Sequence, residues 1–296
     1  LRKGSISFSG AKDIRDSLLR LKVGSSLSIA ELLRVSALLR VALRASDYGK
    51  RDHEPGEEDD ALDAMFRELS PVVSLAKEID RCILSEEEIA DDASNGLRSV
   101  RRAMKTAAEK IRTQLNSLVV NSRTYLQDGV ITMRNGRYCV PVKAEHKSNV
   151  PGMVHDQSSS GSTIFVEPLS VVKLNNELRE LEIREQKEIE AVLAALSNQT
   201  CDHLDELTLD LELIGELDFI FAKAALSRHY RGCEPRLNKD GIIRLKNARH
   251  PLLDPHRVVP ITLTLGENFD LLIVTGPNTG GKTVSLKTVG LLTLMG

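Results

Sequence analysis

The chain contains no tryptophan, and its aromatic residues amount to only 3% of the sequence. That argues against a β-sandwich with a core of large rings. With 41% hydrophobic and 28% charged residues, the balance favours long helices. No apolar stretch approaches the roughly 20 residues needed to span a bilayer, so no membrane segment is expected. No secretory leader is visible. The cysteines number four, Cys82, Cys139, Cys201 and Cys233, and no two have a spacing that suits a zinc site. Isolated reduced thiols in a cytoplasmic protein are the expected state. An initiator Met is missing too, the chain beginning Leu1-Arg2-Lys3.

The formal net charge of −2 predicts no general affinity for nucleic acid, but the distribution is uneven. Residues 1–51 carry eleven Lys/Arg against four Asp/Glu, and residues 52–63 swing acidic. The basic segment suits phosphate, or equally a solvated helix face. At the length of 296 residues two or three domains are expected.

The most informative residues come last. Gly276-Pro277-Asn278-Thr279-Gly280-Gly281-Lys282-Thr283 follows an apolar run at 269–275 and opens an apolar helical pattern at 284–295. This is G-x-x-x-x-G-K-[ST] with a strand expected before it and a helix after. Glycines let the backbone curl so that successive N–H groups point inward as an anion nest. The new helix directs its positive dipole end at the same place. Lys282 would reach the β- and γ-phosphates of ATP, and the hydroxyl of Thr283 would ligand Mg²⁺. Only thirteen residues follow Thr283. A complete P-loop domain needs more parallel strands and a downstream acidic residue for Mg²⁺. The sequence therefore reads as a segment cut at both ends, with no catalytic residue of its own and no ATP hydrolysis expected from it alone.

Upstream, Ser28-Ile29-Ala30-Glu31 forms a capping box. The apolar spacing behind it predicts a helix to about Ser46. Residues 51–60, with Pro55-Gly56, read as a polar loop, followed by short helices at 61–69 and 71–81, with Pro71 as a favoured first helical residue. Steps of three and four from Leu97 to Tyr125 predict a helix of about 45 Å. Its outer face carries Arg98, Arg101, Arg102, Lys105, Lys110 and Arg112. A second helical run is expected from about Pro168 to Tyr230, antiparallel to the first. Between them, runs at 130–134 and 137–143 flank Asn135-Gly136, the strongest short hairpin signal. A second strand pair is expected at 152–156 and 162–166. This insertion carries Arg134, Arg137, Lys143 and Lys147, candidate contacts for a polyanion. Short strands at 242–245 and 258–265 then lead to the P-loop.

The expected architecture is multidomain and mainly α, with a β-hairpin insertion and the start of an α/β P-loop domain. Its parts are a helical core at 1–96, a first lever helix at 97–128, a β-hairpin clamp insertion at 129–168, return helices at 169–232, and an incomplete ATPase domain at 233–296.

The P-loop is more particular than the general pattern. Thr275-Gly276-Pro277-Asn278-Thr279-Gly280-Gly281-Lys282-Thr283 resembles the loop of the MutS-type ATPases, and Ala248-Arg249-His250-Pro251-Leu252 is similar to the element that opens their ATPase domain. The runs 138–143 and 159–168, with Phe8-Ser9-Gly10 and Asp13-Ile14-Arg15, are similar to the bacterial MutS-two branch. The resemblance covers essentially the whole chain. It implies a homodimer joined through the ATPase domains, with ATP and Mg²⁺ as cofactors, acting as an ATP-driven clamp. The implied targets are branched or duplex DNA, in suppression of homologous recombination, or collided ribosomes. It also implies an endonuclease activity in a C-terminal Smr domain that this sequence does not contain. Phe165-Val166-Glu167 is not expected to be the wedge of mismatch readers but a strand-end packing element. His250 is a candidate for bordering adenine. The competing expectation is a nucleotide-switched helical interaction scaffold that clamps no nucleic acid.

Overall fold

A computed structural model of the chain describes residues 6–50, 60–277 and 280–295. Residues 51–59 of the loop expected at 51–60 and the motif residues Asn278 and Thr279 lie outside them. The fold is mainly α with small antiparallel sheets, and the chain divides into two compact units, 1–215 and 216–296.

The first unit begins with α1 (Arg15–Lys22) and α2 (Ile29–Gly49). The capping box forms as expected: the Ser28 side chain accepts from the Glu31 N–H and the Glu31 carboxylate accepts from the Ser28 N–H. Then come α3 (Asp63–Glu68) and α4 (Val73–Cys82). Pro71 lies two residues before α4 instead of inside its first turn, because Val72, with extended-side ψ of 83°, is the N-cap. A small hairpin, β1 (Ile83–Ser85) and β2 (Glu88–Ile89), was not anticipated from the sequence. Arg81 braces its far side by donating to the Asp92 carbonyl at 2.9 Å.

The long helix α5 (Asn95–Asn121) spans about 40 Å at 1.5 Å per residue. Ser94 caps it, accepting from the Leu97 N–H at 2.9 Å. It stops four residues short of Tyr125, where Val119, Val120, Asn121 and Ser122 are weak helix formers in succession. Beyond the end, a turn at 122–125 leads to an isolated bridge between Leu126 and Val142. Lys143 N–H donates to the Tyr125 carbonyl, and Gln127 N–H donates to the Pro141 carbonyl.

The insertion is a four-stranded antiparallel sheet of β3 (Thr132–Arg134), β4 (Arg137–Lys143), β5 (Gly152–Gln157) and β6 (Thr163–Pro168), in the order β3-β4-β6-β5. Asn135 at φ 51° and Gly136 at φ 73° make the turn that the Asn-Gly pair predicts. A short 3₁₀ segment, Ala144–Asn149, joins β4 to β5. Pro141 sits in an inner strand, a position the residue usually avoids. Its carbonyl faces Gln127, beyond the end of β3, so its ring nitrogen lies on that side and no β4–β6 bond is lost. Val140, Val142, Ile164 and Val166 of this sheet join Ile111 and Leu115 of α5 and Val171 and Leu178 of the next helix in one buried cluster.

The return run is two helices, not one: α6 (Leu169–Cys201) and α7 (Leu204–Tyr230). Just before the break, Ser197 and Thr200 hydroxyls donate back to the carbonyls of Leu193 and Leu196 at 2.7 Å, a pattern that weakens and bends a helix. Ser197 Oγ also accepts from the Leu27 N–H at 2.8 Å, tying α6 to the segment before α2.

The second unit holds the C-terminal turns of α7, then β7 (Ile243–Ala248) antiparallel to β8 (Ile261–Leu265), and α8 (Lys282–Met295). The strand expected at 269–275 makes no ladder among the described residues. Leu271 and Ile273 are 76% and 74% exposed. An apolar run becomes a strand only by pairing, and no neighbouring strand among the described residues meets this one.

Candidate nucleotide site and basic surfaces

Of the motif at 276–283, the described residues Gly276, Pro277, Gly280, Gly281, Lys282 and Thr283 lead into and open α8. Gly276 at φ 145° and Gly281 at φ 79° occupy backbone conformations that residues with a Cβ rarely take, and both face open space. Gly280 N–H donates to the Pro277 carbonyl at 3.0 Å, closing the turn. Lys282, the first residue of α8, folds back so that its ammonium donates to the Gly276 carbonyl at 2.5 Å. The two ends of the loop are thus joined, and since the Ser285 N–H already donates to the Gly281 carbonyl, only the amides before it in α8 lack an intrahelical partner. Thr283 is adjacent in the same turn. The donor set and the open backbone fit a polyphosphate with a Mg²⁺ ion.

His250 lies in the segment between β7 and β8. Its Nδ1 accepts from the Leu252 N–H at 3.3 Å and its carbonyl accepts from the Leu253 N–H, so it shapes the turn after β7. Among the described residues no group of three or more His, Cys, Asp and Glu could hold a metal ion. The four cysteines are free thiols. Burial, with the Glu167 charge nearby, pushes the Cys139 thiol up to about 11, so it is unreactive at neutral pH. No helix among the described residues is long and apolar enough to cross a membrane.

The four cations of the insertion are not equivalent. Arg134 ion-pairs with Asp156 at 3.3 Å, and its guanidinium lies 4.1 Å over the Phe165 ring. Arg137 is held by the fully buried Glu167 at 3.0 Å. Lys143 donates to the Thr124 carbonyl at 3.3 Å. Lys147 is exposed in the 3₁₀ segment, beside an open groove of about 470 Å³ lined also by Glu145, Ser148, Val150, Gly152 and Val154. Three of the four therefore have partners within the first unit, Arg134 and Arg137 inside the insertion and Lys143 on the segment that leads into it.

Sequence reasoning placed Glu167 at a strand end but missed that it is the hub of the insertion. Its Oε1 accepts from Arg137 and from Asn175 Nδ2 at 2.8 Å, and its Oε2 meets His155 Nε2 at 2.5 Å. Asn175 in turn exchanges hydrogen bonds with the Tyr138 backbone, at 3.2 Å each way. One carboxylate thus joins β4, β5, β6 and α6. Burial by itself would push the Glu167 carboxyl up, but Asn175, His155 and Arg137 outweigh it and hold the carboxyl below its ordinary value. The signal was present in the sequence: Asn175 interrupts the apolar stripe Val171, Leu178, Leu181 at a buried position.

No protein-family model matches the chain. Comparison with curated proteins gives a consistent answer. The chain is 56% identical over 296 residues to the Endonuclease MutS2 of Lachnospira eligens, covering 99% of the chain and 37% of that protein. It is 56% identical over 297 residues to the protein of the same name in Agathobacter rectalis, again covering 37% of it. For the Clostridium perfringens protein the identity is 46% over 296 residues. The chain belongs to the MutS2 family. It spans a little over a third of the length of these MutS2 relatives. The match reaches both the β insertion and the P-loop, because the aligned region takes in essentially the whole chain.

Proposed function

We propose that this chain carries the nucleotide-binding loop and the helical arm of an ATP-driven clamp. The observation that carries the reading is the loop itself. Two glycines at positive φ, the closing Lys282 and the helix start at that lysine form the arrangement a triphosphate needs. Gly276, Asn278, Gly280, Gly281 and Lys282 would cradle phosphate, with Pro277 and Thr279 shaping the loop and the Thr283 hydroxyl on Mg²⁺. Lys282 would exchange the Gly276 carbonyl for the β- and γ-phosphate oxygens. ATP supplies the energy; the residues of this chain bind and orient it. Nucleotide binding would shift the balance between two arrangements of arm and loop, and hydrolysis in the complete protein would reset it.

The parts are assigned as a helical core at 1–96, levers at 97–128 and 169–232, a clamp insertion at 129–168 and the beginning of an ATPase domain at 233–296. The complete protein is proposed to dimerise through its ATPase domains and to act on branched DNA or on collided ribosomes. The endonuclease activity in the relatives' name is proposed for the complete protein. A second reading, a nucleotide-switched scaffold that clamps no nucleic acid, gains from one observation: Arg134, Arg137 and Lys143 of the insertion are held by internal partners.

The test is a binding titration of fluorescent ATP with the intact protein and its Lys282→Ala variant. Binding lost in the variant, with helical circular dichroism unchanged, is expected. Equal affinity in the two proteins would sink the site.

A further inference from the structure

We infer that the outward face of α5 is a docking surface for a nucleic-acid phosphate backbone. The inference rests on the reading of the protein as a nucleic-acid clamp and goes beyond it, since it moves the contact from the insertion to the arm.

The charge on the two paired helices is segregated. Within Asn95–Asn121, α5 carries six cations and one carboxylate, Glu109, for a net +5. Within Leu169–Cys201, α6 carries four cations and six carboxylates, for a net −2. The usual solvated helix intersperses the two signs, as α6 does where Arg179 pairs with Glu182 three residues on. On α5 the neighbours are alike: Arg98 with Arg101 and Arg102, Arg101 with Lys105, and Arg102 with Lys105 stand three or four apart. Such pairs each cost an isolated helix about as much as an opposite pair contributes, so the fold gains nothing from this arrangement.

Four of these six cations have no ion-pair partner elsewhere among the described residues. The apolar residues Val100, Ala107, Ile111 and Leu115 turn the other face of α5 into the core. Arg101, on the flank, is taken by Asp91 at 2.5 Å and Glu185 at 2.7 Å, and Arg98 has Asp92 at 3.7 Å. Arg102, Lys105, Lys110 and Arg112 are exposed and have no carboxylate partner among the described residues. At 100° per residue, Arg98, Arg102, Lys105 and Arg112 fall on one outward strip, with Glu109 the only acid on it. Fourteen residues separate the first from the last, a rise of about 21 Å. At 3.4 Å per phosphate along one strand, that length faces about six phosphates. Arginine, three of the four, is the residue that matches phosphate with a fork of donors. The shared chemistry is the phosphodiester backbone, from DNA or from RNA.

The experiment is fluorescence anisotropy of a labelled 30-base-pair DNA duplex, and separately an RNA duplex, with the intact protein from 50 to 200 mM KCl. Three proteins are compared: wild type, R102Q/K105Q/R112Q on α5, and K173Q/R184Q/K187Q on α6. The second triple removes the same charge from exposed positions in an acidic setting. Glutamine is a good helix former, so both should fold, checked by circular dichroism and retained ATP binding. Removing three phosphate contacts makes the log–log salt slope shallower by about 2.7, so the loss of affinity over this salt range shrinks by about 40-fold. The α6 triple is expected to keep the wild-type slope. Equal slope changes in the two triples would reduce the effect to net charge and overturn the inference. An unchanged slope in the α5 triple would overturn it while leaving the clamp reading in place. Absence of any wild-type binding at 50 mM KCl would remove the nucleic-acid reading and the inference with it. Competition by polyglutamate as strong as by unlabelled duplex would assign the surface to acidic protein instead. Whether the DNA or the RNA duplex binds more tightly identifies the source of the backbone.

Discussion

Glu167→Gln tests the organisation of the insertion most directly. The carboxylate is fully buried and bound by Arg137, His155 and Asn175. Removing one partner of a buried ion pair costs about 3–5 kcal/mol when the other charge is stranded. Here Arg137 keeps about a quarter of its side chain in water and the new amide oxygen still accepts one bond, so the expected cost is about 2–3 kcal/mol. The pH dependence follows from the lowered carboxyl. The folded state binds this proton more weakly than the unfolded chain does. The contribution is therefore complete above the unfolded value of about 4.3 and is lost as pH falls through the lower folded value. Urea unfolding of both proteins, followed by hydrogen exchange at β4, β5 and β6, measures both effects. The variant should exchange faster in all three strands and lose the steepest part of the acid dependence. A variant within about 0.5 kcal/mol of wild type, with unchanged exchange, would refute the account of Glu167 as the hub, since surface changes fall in that range.

Three further expectations concern single sites. Gly152→Ala places a methyl 2.2 Å from the Glu167 carbonyl oxygen and 2.7 Å from Val166 Cγ1, so a loss of about 1–3 kcal/mol is expected in thermal unfolding; an unchanged midpoint would contradict the β5–β6 register. Ser28→Ala removes half the capping box of α2 and should cost about 1 kcal/mol by urea denaturation, whereas a neutral result would show that Glu31 holds the turn alone. Asp210 is buried, accepts from the Ser70 N–H at 2.8 Å, and leaves Oδ2 without a partner. Burial raises its carboxyl, so its contribution is present below the unfolded value of about 3.9 and is lost as pH rises through the raised one. Asp210→Asn should therefore gain stability relative to wild type between acid and neutral pH; a constant difference across that range would refute the assignment.

Local patterns were legible wherever a short-range rule acts alone. Ser28 and Glu31 lie three residues apart and complete their box without help from elsewhere. Asn135-Gly136 needs only its own positive φ values to set the β3–β4 register. The helix that begins at Lys282 was legible too, because the apolar spacing behind the glycines acts within a few turns of one element. Features that depend on a partner distant in sequence were not legible. The break between α6 and α7 follows the turn in which Ser197 accepts from the Leu27 N–H, a partner 170 residues away in the sequence. The run 269–275 has strand composition, but a strand exists only with a neighbour.

By itself, then, the sequence determined the mainly helical class and the hairpin insertion, because each is encoded by periodicity or by spacing within a few residues. Only the tertiary structure decided which charges are free. Arg134, Arg137 and Lys143 look like Arg102, Lys105 and Arg112 in the sequence, yet the first three find Asp156, Glu167 and the Thr124 carbonyl. A cation's availability depends on what the fold brings within 4 Å of it, and strand pairing and helix packing bring those partners from 19 to 30 residues away.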